Sequence, residues 1–142
     1  MAQKMTDDQW RAFVSAGTRT AKLSTVRADG RPHIAPVWFV LDGDEIVFNT
    51  AKESVKGRNL ARDPRVSLCV DDERAPYAFV VCEGSATISE EPAELLEWST
   101  RIGGRYMGAD RAEEFGKRNG VPGELLVRLR PVKVTAAFNM TA

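Results

Sequence analysis

Hydrophobic residues recur with two different periods along the chain, which predicts a mixture of helices and strands. Near the start, Trp10, Phe13 and Val14 are spaced as one face of a helix. A threonine that can cap the helix precedes them, and two aspartates in the first turn suit the positive end of the helix dipole. The pattern therefore predicts an amphipathic helix over residues 6–16 that ends at Gly17.

The residues from 20 to 50 predict three strands separated by turns. Two Asp-Gly pairs, a dipeptide typical of hairpin turns, divide TAKLSTVRADGRPHIAPVWFVLDGDEIVFNT into three strand-like runs. The middle run, HIAPVWFVL, is apolar at nearly every position, which predicts a strand covered on both faces. Pro36 lies within it and favours an edge position or a bulge, because proline cannot donate to the ladder.

The second half of the chain predicts a helix, a long hairpin, two more helices and a last strand. The first of these helices is expected over residues 53–62, and RVSLCVDD and YAFVVCEGSATISE then form the hairpin. Ser89 is a candidate cap for the next helical segment, which Gly103 and Gly104 are expected to interrupt. The last strand, ELLVRLRPVKVTAAF, is expected to break at Pro131.

Together these elements indicate a mainly β protein with helices, of the α+β class, in a single domain over residues 1–142. The count is six strands, antiparallel because hairpins connect them. Six strands in so short a chain close most economically into a barrel, since closure removes the exposed strand edges.

Composition narrows the possible partners. The chain has 142 residues, of which 43% are hydrophobic, enough for a core. Its 20 basic and 20 acidic residues cancel, so no overall field attracts nucleic acid or a membrane surface. The first residues lack the apolar run of a signal peptide, and no run approaches the roughly 18 apolar residues of a membrane span. We expect a cytoplasmic protein whose partners include neither nucleic acid nor membrane.

Residues that commonly carry catalysis or bind metals are sparse. A hairpin about DDERAP would bring Cys69 near Phe79 and Cys82 near Val66, which leaves the thiols out of register for a disulfide. With one histidine, His33, and no CxxC pair, no metal site is expected. No Ser-His-Asp set, phosphate-binding glycine loop or convincing pair of carboxylates is visible, so no catalytic residue is assigned. These absences disfavour a hydrolase.

The stretch NTAKESVKGRNLARDPRV raises the possibility of an anion site. A helix that begins near Ser54 leaves the N–H groups of residues 55–57 without partners in the helix. Lys52 and Lys56 add positive charge where the helix dipole already favours an anion, so a phosphate would suit this end. Gly57 costs the helix about 1 kcal/mol relative to alanine, which indicates that a ligand or another backbone comes close. The alternative is a solvated helix whose lysines face water.

The same stretch carries a family resemblance. FNTAKESVKGRNLARDPRVSL, preceded by LSTVRADGRPHIAPVWFVLDGDEIV, resembles the pyridoxamine 5′-phosphate oxidases and their relatives, the flavin/deazaflavin oxidoreductases. The likeness spans roughly residues 10–90 and the last strand. It implies a six-stranded antiparallel split β-barrel of the FMN-binding type, which forms a homodimer. A flavin-type ring would lie across residues matching 36–39 and 48–50 at the dimer interface, with its phosphate on residues 50–56. The implied cofactor-binding residues are Pro36, Val37, Trp38, Phe39, Asn49, Thr50, Lys52, Ser54, Lys56 and Asn59.

The choice of cofactor depends mainly on one position. Thr50, Ser54 and Lys56 match the phosphate segment of the FMN-using oxidases, but Val55 stands where those enzymes have arginine. Arginine holds a terminal phosphate bidentately and valine cannot, so a dianionic phosphate loses a strong ligand. Coenzyme F420, a deazaflavin, carries a phosphodiester with one negative charge and an acidic glutamyl tail, which Lys52 could meet. The runs VWF and KGRNL also resemble the deazaflavin branch.

The resemblance implies an oxidoreductase that uses reduced F420 to transfer hydride to a conjugated organic acceptor, a small molecule that the chain does not identify. Two alternatives remain. One is an FMN-binding oxidase or reductase of the same fold. The other is a non-enzymatic flavin- or haem-binding protein, in which His33 would have to be the axial haem ligand.

Three further groups of residues have open roles. Trp38 and Phe39 are adjacent in a strand, so one is expected to face the ring and the other the core. Tyr106 and Met107 lie among glycines and could form a mobile lid or a packing element. The arginines at 128 and 130 share one face of the last strand, where they could meet the acidic tail or be solvated.

Overall fold

The computed structural model describes residues 1–142 as eight strands, four α-helices and one 3-10 turn. In chain order these are β1 (Gln3–Lys4), α1 (Asp7–Ser15), β2 (Ala21–Val26), β3 (Pro32–Val37), β4 (Val40–Asp42), β5 (Glu45–Ala51), α2 (Val55–Arg62), β6 (Arg65–Asp72), β7 (Ala78–Ser89), α3 (Pro92–Met107), the 3-10 turn (Ala109–Arg111), α4 (Ala112–Asn119) and β8 (Glu124–Phe138). None of the helices has the length and apolar character needed to cross a membrane.

All the strands belong to one antiparallel sheet in the order β3-β2-β6-β7-β8-β5-β4, with β1 added on β8. The α+β class and the antiparallel pairing are confirmed. The six-stranded closed barrel is wrong in two respects, because the sheet has eight strands and its ladder is not closed. The ladder ends at β3 and β4, which are consecutive in the chain.

The ladder stays open because the run HIAPVWFVL does not form one strand. It divides at Trp38 and Phe39 into β3 and β4. The Phe39 amide donates to the Tyr106 hydroxyl at 3.3 Å instead of to a neighbouring strand. The edge position that Pro36 favours is confirmed, since β3 pairs with β2 alone.

The core is one cluster of 17 buried residues. Trp10 and Val14 of α1 belong to it, which confirms the predicted helical face. On the other side of β5, α3 places Leu95 and Trp98 against Val47. The strand covered on both faces is therefore β5. The same expectation for β3 is wrong in this chain, where alternate residues of β3 are exposed.

Local capping confirms two of the predicted helix starts. The Thr6 hydroxyl accepts from the Gln9 amide at 3.2 Å, and the Gln9 side chain accepts from the Thr6 amide at 2.8 Å. Ser54 is the N-cap of α2. The third start is displaced, because Glu91 rather than Ser89 accepts from the first amides of α3.

Helix α3 continues through Gly103 and Gly104, so the predicted interruption is wrong. A Cβ on Gly103 would lie 2.6 Å from the Cβ of Phe115, and one on Gly104 would lie 3.2 Å from the Cβ of Ala112. The two glycines therefore let α4 pack closely against α3.

Two details of the last strands also differ from expectation. Strand β8 runs unbroken past Pro131, and the irregularity takes the form of a register shift between Glu83 and Gly84 of β7.

The hairpin of β6 and β7 pairs Cys69 with Val81 and Leu68 with Cys82, so the predicted partners are displaced by two residues. The connection from 73 to 77 is longer than a tight turn and sets this register. Both thiols are free and face opposite sides of the sheet.

Candidate functional site

A cleft of about 380 Å³ lies where the two ends of the sheet separate. One wall is the end of β3 with the residue that follows it, the other wall is the end of β5, and α2 begins beside them. The lining residues are Pro36, Val37, Trp38, Asn49, Thr50, Ala51, Lys56, Asn119 and Glu124. The walls are apolar near Trp38 and polar near the start of α2.

Most of the predicted site residues come together in this cleft, namely Pro36, Val37, Trp38, Asn49, Thr50 and Lys56. Of the pair Trp38 and Phe39, one faces the core as expected, since Phe39 is fully buried there, while Trp38 lines the cleft; both lie between β3 and β4 and not within a strand. Lys52, Ser54 and Asn59 do not line it.

Ser54 ties the start of α2 to β5. Its hydroxyl accepts from the Gly57 amide at 3.0 Å, donates to the Ala51 carbonyl at 2.7 Å and lies 3.1 Å from the Thr50 hydroxyl. Of the three amides expected to be free, that of Gly57 is therefore occupied. The amides of Val55 and Lys56 have no acceptor within the protein.

The close approach that Gly57 indicates is made by backbone. A Cβ at this position would lie 2.2 Å from the Ala51 carbonyl oxygen and 2.9 Å from that of Lys52. The glycine thus seats the first turn of α2 directly on the end of β5. It also holds the free amides and Lys56 at the edge of the cleft.

The two lysines of this region have different environments. The Lys52 ammonium lies 3.3 Å from the Glu90 carboxylate, and both side chains are about half exposed at 54% and 52%. Lys56 has no hydrogen bond or ion pair to any protein group, and it lines the cleft. Positive charge available to a ligand in the cleft therefore comes from Lys56 and the start of α2.

The sequence analysis missed an acidic residue in the same cleft. Glu124, the first residue of β8, accepts from the Asn49 side chain at 3.0 Å, and Asn49 also donates to the Asn119 carbonyl at 3.4 Å. Burial raises the pKa of the Glu124 carboxyl, while the Asn49 hydrogen bond and the charge of Lys56 act in the opposite direction. No local signal marks Glu124, because the pairing of β8 with β5 brings it here.

Tyr106 supports the aromatic wall of the cleft. Its ring stacks on Trp38 with centroids 5.0 Å apart and planes 3° apart. Its hydroxyl accepts from the Phe39 amide and donates to the Arg19 carbonyl at 2.8 Å. Burial raises the pKa of this phenol. These contacts favour the packing role over the lid for Tyr106.

Asn59 and the two arginines of the last strand have structural partners, whereas the Nδ1 atom of His33 is buried without one. Asn59 is buried, and its amide donates to the Thr25 hydroxyl at 3.0 Å, which joins α2 to β2. His33 lies opposite Thr25 on β3 and does not line the cleft. Arg128 and Arg130 pair with Glu45, and Arg128 also pairs with Asp42, so neither is simply solvated. No group of three or more His, Cys, Asp or Glu side chains is arranged to hold a metal ion.

An antiparallel sheet whose ends part around a cleft, with a helix start beside it, defines the class of split-barrel, flavin-binding-type proteins. The family model described as pyridoxamine 5′-phosphate oxidase matches residues 6–137. The chain belongs to that family, which confirms the resemblance drawn from its sequence.

Solved structures agree with this assignment. A conserved hypothetical protein, Rv2991 from Mycobacterium tuberculosis, is 29% identical with a TM-score of 0.82, over 93% of this chain and 84% of that one. A structure described as an F420 reductase is 25% identical with a TM-score of 0.69, over 87% and 94%. The haem storage protein HutZ from Vibrio cholerae shares the fold at 19% identity and a TM-score of 0.72, over 92% and 94%.

Proposed function

We propose that this protein is an oxidoreductase that uses the reduced deazaflavin coenzyme F420 to transfer hydride to a conjugated organic acceptor. The observation that carries the proposal is the unpaired ammonium of Lys56, which lies at the amino end of α2 and lines a cleft whose opposite wall, near Trp38, is apolar. The similarity to an F420 reductase across most of both chains supports the same cofactor class.

The residues of the cleft fit such a cofactor. The Lys56 ammonium and the free amides of Val55 and Lys56 offer donors to a phosphoryl group, whereas the Thr50 hydroxyl donates to that of Ser54. Pro36, Val37 and Trp38 offer an apolar wall to a planar ring. The cleft volume of about 380 Å³ lies within the usual range for small-molecule sites, although a cofactor of this size would extend beyond it.

The chemistry divides between cofactor and protein. When bound, the deazaflavin supplies the hydride. Pro36, Val37 and Trp38 would exclude water from one side of the ring and orient it, and Tyr106 would hold Trp38 in place through the ring stack. Lys56 would anchor the phosphoryl end. No side chain is assigned a proton transfer.

The local charges favour a phosphodiester over the terminal phosphate of FMN. The side chain of Val55, at the position of the arginine in the FMN-using oxidases, has no donor to offer and is 44% exposed. The nearby Arg58 donates to Glu53 at 3.0 Å and does not line the cleft. A dianionic phosphate would therefore meet one free cation. An FMN-dependent enzyme of the same fold remains the second candidate, since the family as a whole binds flavins.

A non-enzymatic haem protein has less support from the site. His33 is the only histidine in the chain, and it lies outside the lining of the cleft. A haem in the cleft would therefore lack a histidine ligand from this chain.

We also propose that the protein acts as a homodimer. Strand β3 forms one wall of the cleft and is an edge strand, and Ile34 at its middle is 68% exposed. A second copy over this face would bury Ile34 and could complete the cover of the ring.

The cofactor proposal is tested by titrating the purified protein with F420 and with FMN while following fluorescence quenching. We expect micromolar or tighter F420 binding and weaker FMN binding. Lys56→Ala should weaken F420 binding roughly ten- to a hundredfold, because a charge-assisted contact is typically worth about 1.5–3 kcal/mol. Lys4→Ala is the matched control, since it removes the same charge from exposed β1, which pairs with the far end of β8.

Two outcomes would overturn the proposal. If the protein purifies as a yellow, stoichiometric complex with FMN, the assignment of F420 as its cofactor is wrong. If neither ligand binds, the oxidoreductase assignment fails as well. If F420 binds, turnover is measured as the consumption of reduced F420 with a panel of quinones as acceptors.

A further inference from the structure

Glu124 is out of place in a cleft that is proposed to bind a phosphoryl group. Strand pairing sets it directly opposite Ala51, the residue whose carbonyl accepts from the Ser54 cap of α2. The Asn49 side chain holds its carboxylate at 3.0 Å. An acid is therefore fixed beside the amino end of α2, where the phosphoryl donors of the cleft lie.

The polar side chains around Glu124 include those of Lys56, Glu90 and Asn49. Lys56 of α2 lines the same cleft and makes no hydrogen bond or ion pair with any protein group. Glu90, just before α3, lines an adjoining pocket of about 180 Å³ together with Glu124, but Glu90 is paired with Lys52. Asn49 of β5 is neutral. One free cation and one free carboxylate thus face the ligand when Glu124 is ionised.

This pair of opposite charges is expected to bind phosphate monoesters and diesters with different affinity. A monoester carries about two negative charges at neutral pH, whereas a diester carries one. The charges of Lys56 and Glu124 sum to zero, so Lys56 does not offset a second negative charge on the ligand. That second charge is repelled by the Glu124 carboxylate in a partly desolvated site. Val55 merely lacks an attractive contact to a terminal phosphate. The Glu124 carboxylate adds a repulsive contact to that phosphate, and repulsion discriminates between ligands more strongly than the absence of an attractive contact.

On the basis of the proposed function, we propose that Glu124 is a specificity-determining residue, which rejects dianionic phosphate monoesters such as FMN and admits cofactors whose phosphate is a monoanionic diester. Its partial burial, which raises the pKa of this carboxyl, also leaves its charge less screened by water than that of a surface carboxylate. Asn49 acts as a positioning residue, because its hydrogen bond fixes the orientation of the carboxylate.

The test uses three ligands with the same ring and different charge. These are riboflavin, FMN and the 5′-methyl phosphate ester of riboflavin, titrated at about pH 8, where the monoester is a dianion because its second pKa is about 6. The variants are Glu124→Gln, which keeps an acceptor for Asn49, and Glu124→Asp, which keeps the charge. Glu97→Gln on the exposed side of α3 is the control, since it removes the same charge far from the cleft.

We expect wild-type protein to bind the methyl ester more tightly than FMN. Glu124→Gln should shift the ratio of the two dissociation constants in favour of FMN by about tenfold or more, with riboflavin unchanged. Glu124→Asp and Glu97→Gln should keep the wild-type ratio.

The failures are distinguishable. If Glu124→Gln weakens all three ligands alike, or leaves the ratio unchanged, Glu124 is structural and this inference is overturned while the proposed function stands. If the wild-type protein binds neither F420 nor any of the three flavins, the proposed function is overturned and the inference falls with it.

Discussion

At the scale of single residues, Tyr106 connects the cleft to the rest of the molecule. Its hydroxyl bridges the Phe39 amide, at the break between β3 and β4, and the Arg19 carbonyl, just before β2. Its ring supports Trp38. One side chain therefore satisfies the backbone where the sheet opens and also holds the aromatic wall of the cleft.

Tyr106→Phe should lower the free energy of unfolding by about 1–3 kcal/mol, because it leaves the amide of the buried Phe39 without an acceptor while keeping the ring stack. Urea denaturation monitored by tryptophan fluorescence measures the change. Tyr77→Phe is the control, since Tyr77 is 44% exposed and its hydroxyl bonds to no protein group. Equal stability of the two variants would show that the bridge contributes nothing.

At the scale of secondary-structure elements, glycines set how closely the helices lie on their supports. Gly57 seats α2 on β5, and Gly103 seats α4 on α3. In both cases a methyl group would occupy space that another backbone or a Cβ already fills. The position of the free amides at the start of α2 is therefore set by the close packing at Gly57 as well as by the Ser54 cap.

Gly103→Ala distinguishes packing from helix propensity. Propensity alone predicts a gain of about 1 kcal/mol, because alanine is the better helix former. Steric overlap with Phe115 at 2.6 Å predicts a net loss of about 1–3 kcal/mol, since the helices must move apart. We expect the loss, measured as a lower thermal midpoint and a lower free energy of unfolding. Gly104→Ala should cost less, because its nearest contact is 3.2 Å away, and a stabilised Gly103→Ala would contradict the close packing.

At the scale of the whole molecule, the open ladder leaves β3 with an uncovered edge and an uncovered outer face. Ile34 lies opposite Ser24, which pairs onward with Ser67 of β6 and then Glu83 of β7. Prolines 32 and 36 limit pairing along the edge itself. The exposed isoleucine is therefore better suited to face-to-face packing with another copy than to extension of the sheet.

Ile34→Glu should convert the proposed dimer into a monomer, because a charge would be buried without a partner at the interface. Light scattering coupled to size exclusion measures the mass directly. Leu96→Glu on α3 is the control, as it introduces the same charge at a residue that is 44% exposed elsewhere. A wild-type protein that is monomeric at all concentrations would remove the dimer from the proposal.

The sequence alone determined the local features of this protein. The Ser54 cap, the helical face of Trp10 and Val14, and the edge position signalled by Pro36 were all predictable, because each depends on residues a few positions apart. The family resemblance drew on the same local runs, and most of the residues that it implied do line one cleft.

Only the tertiary structure decided the charge balance of the site. Lys52 is neutralised by Glu90, 38 residues further along the chain. Glu124 reaches the cleft because β8 pairs with β5, which brings it to Asn49 across a separation of 75 residues. The continuity of α3 through its glycines likewise depends on α4. Local propensity carries no information about such long-range pairing, since the energy comes from contacts that form only when the whole chain is folded.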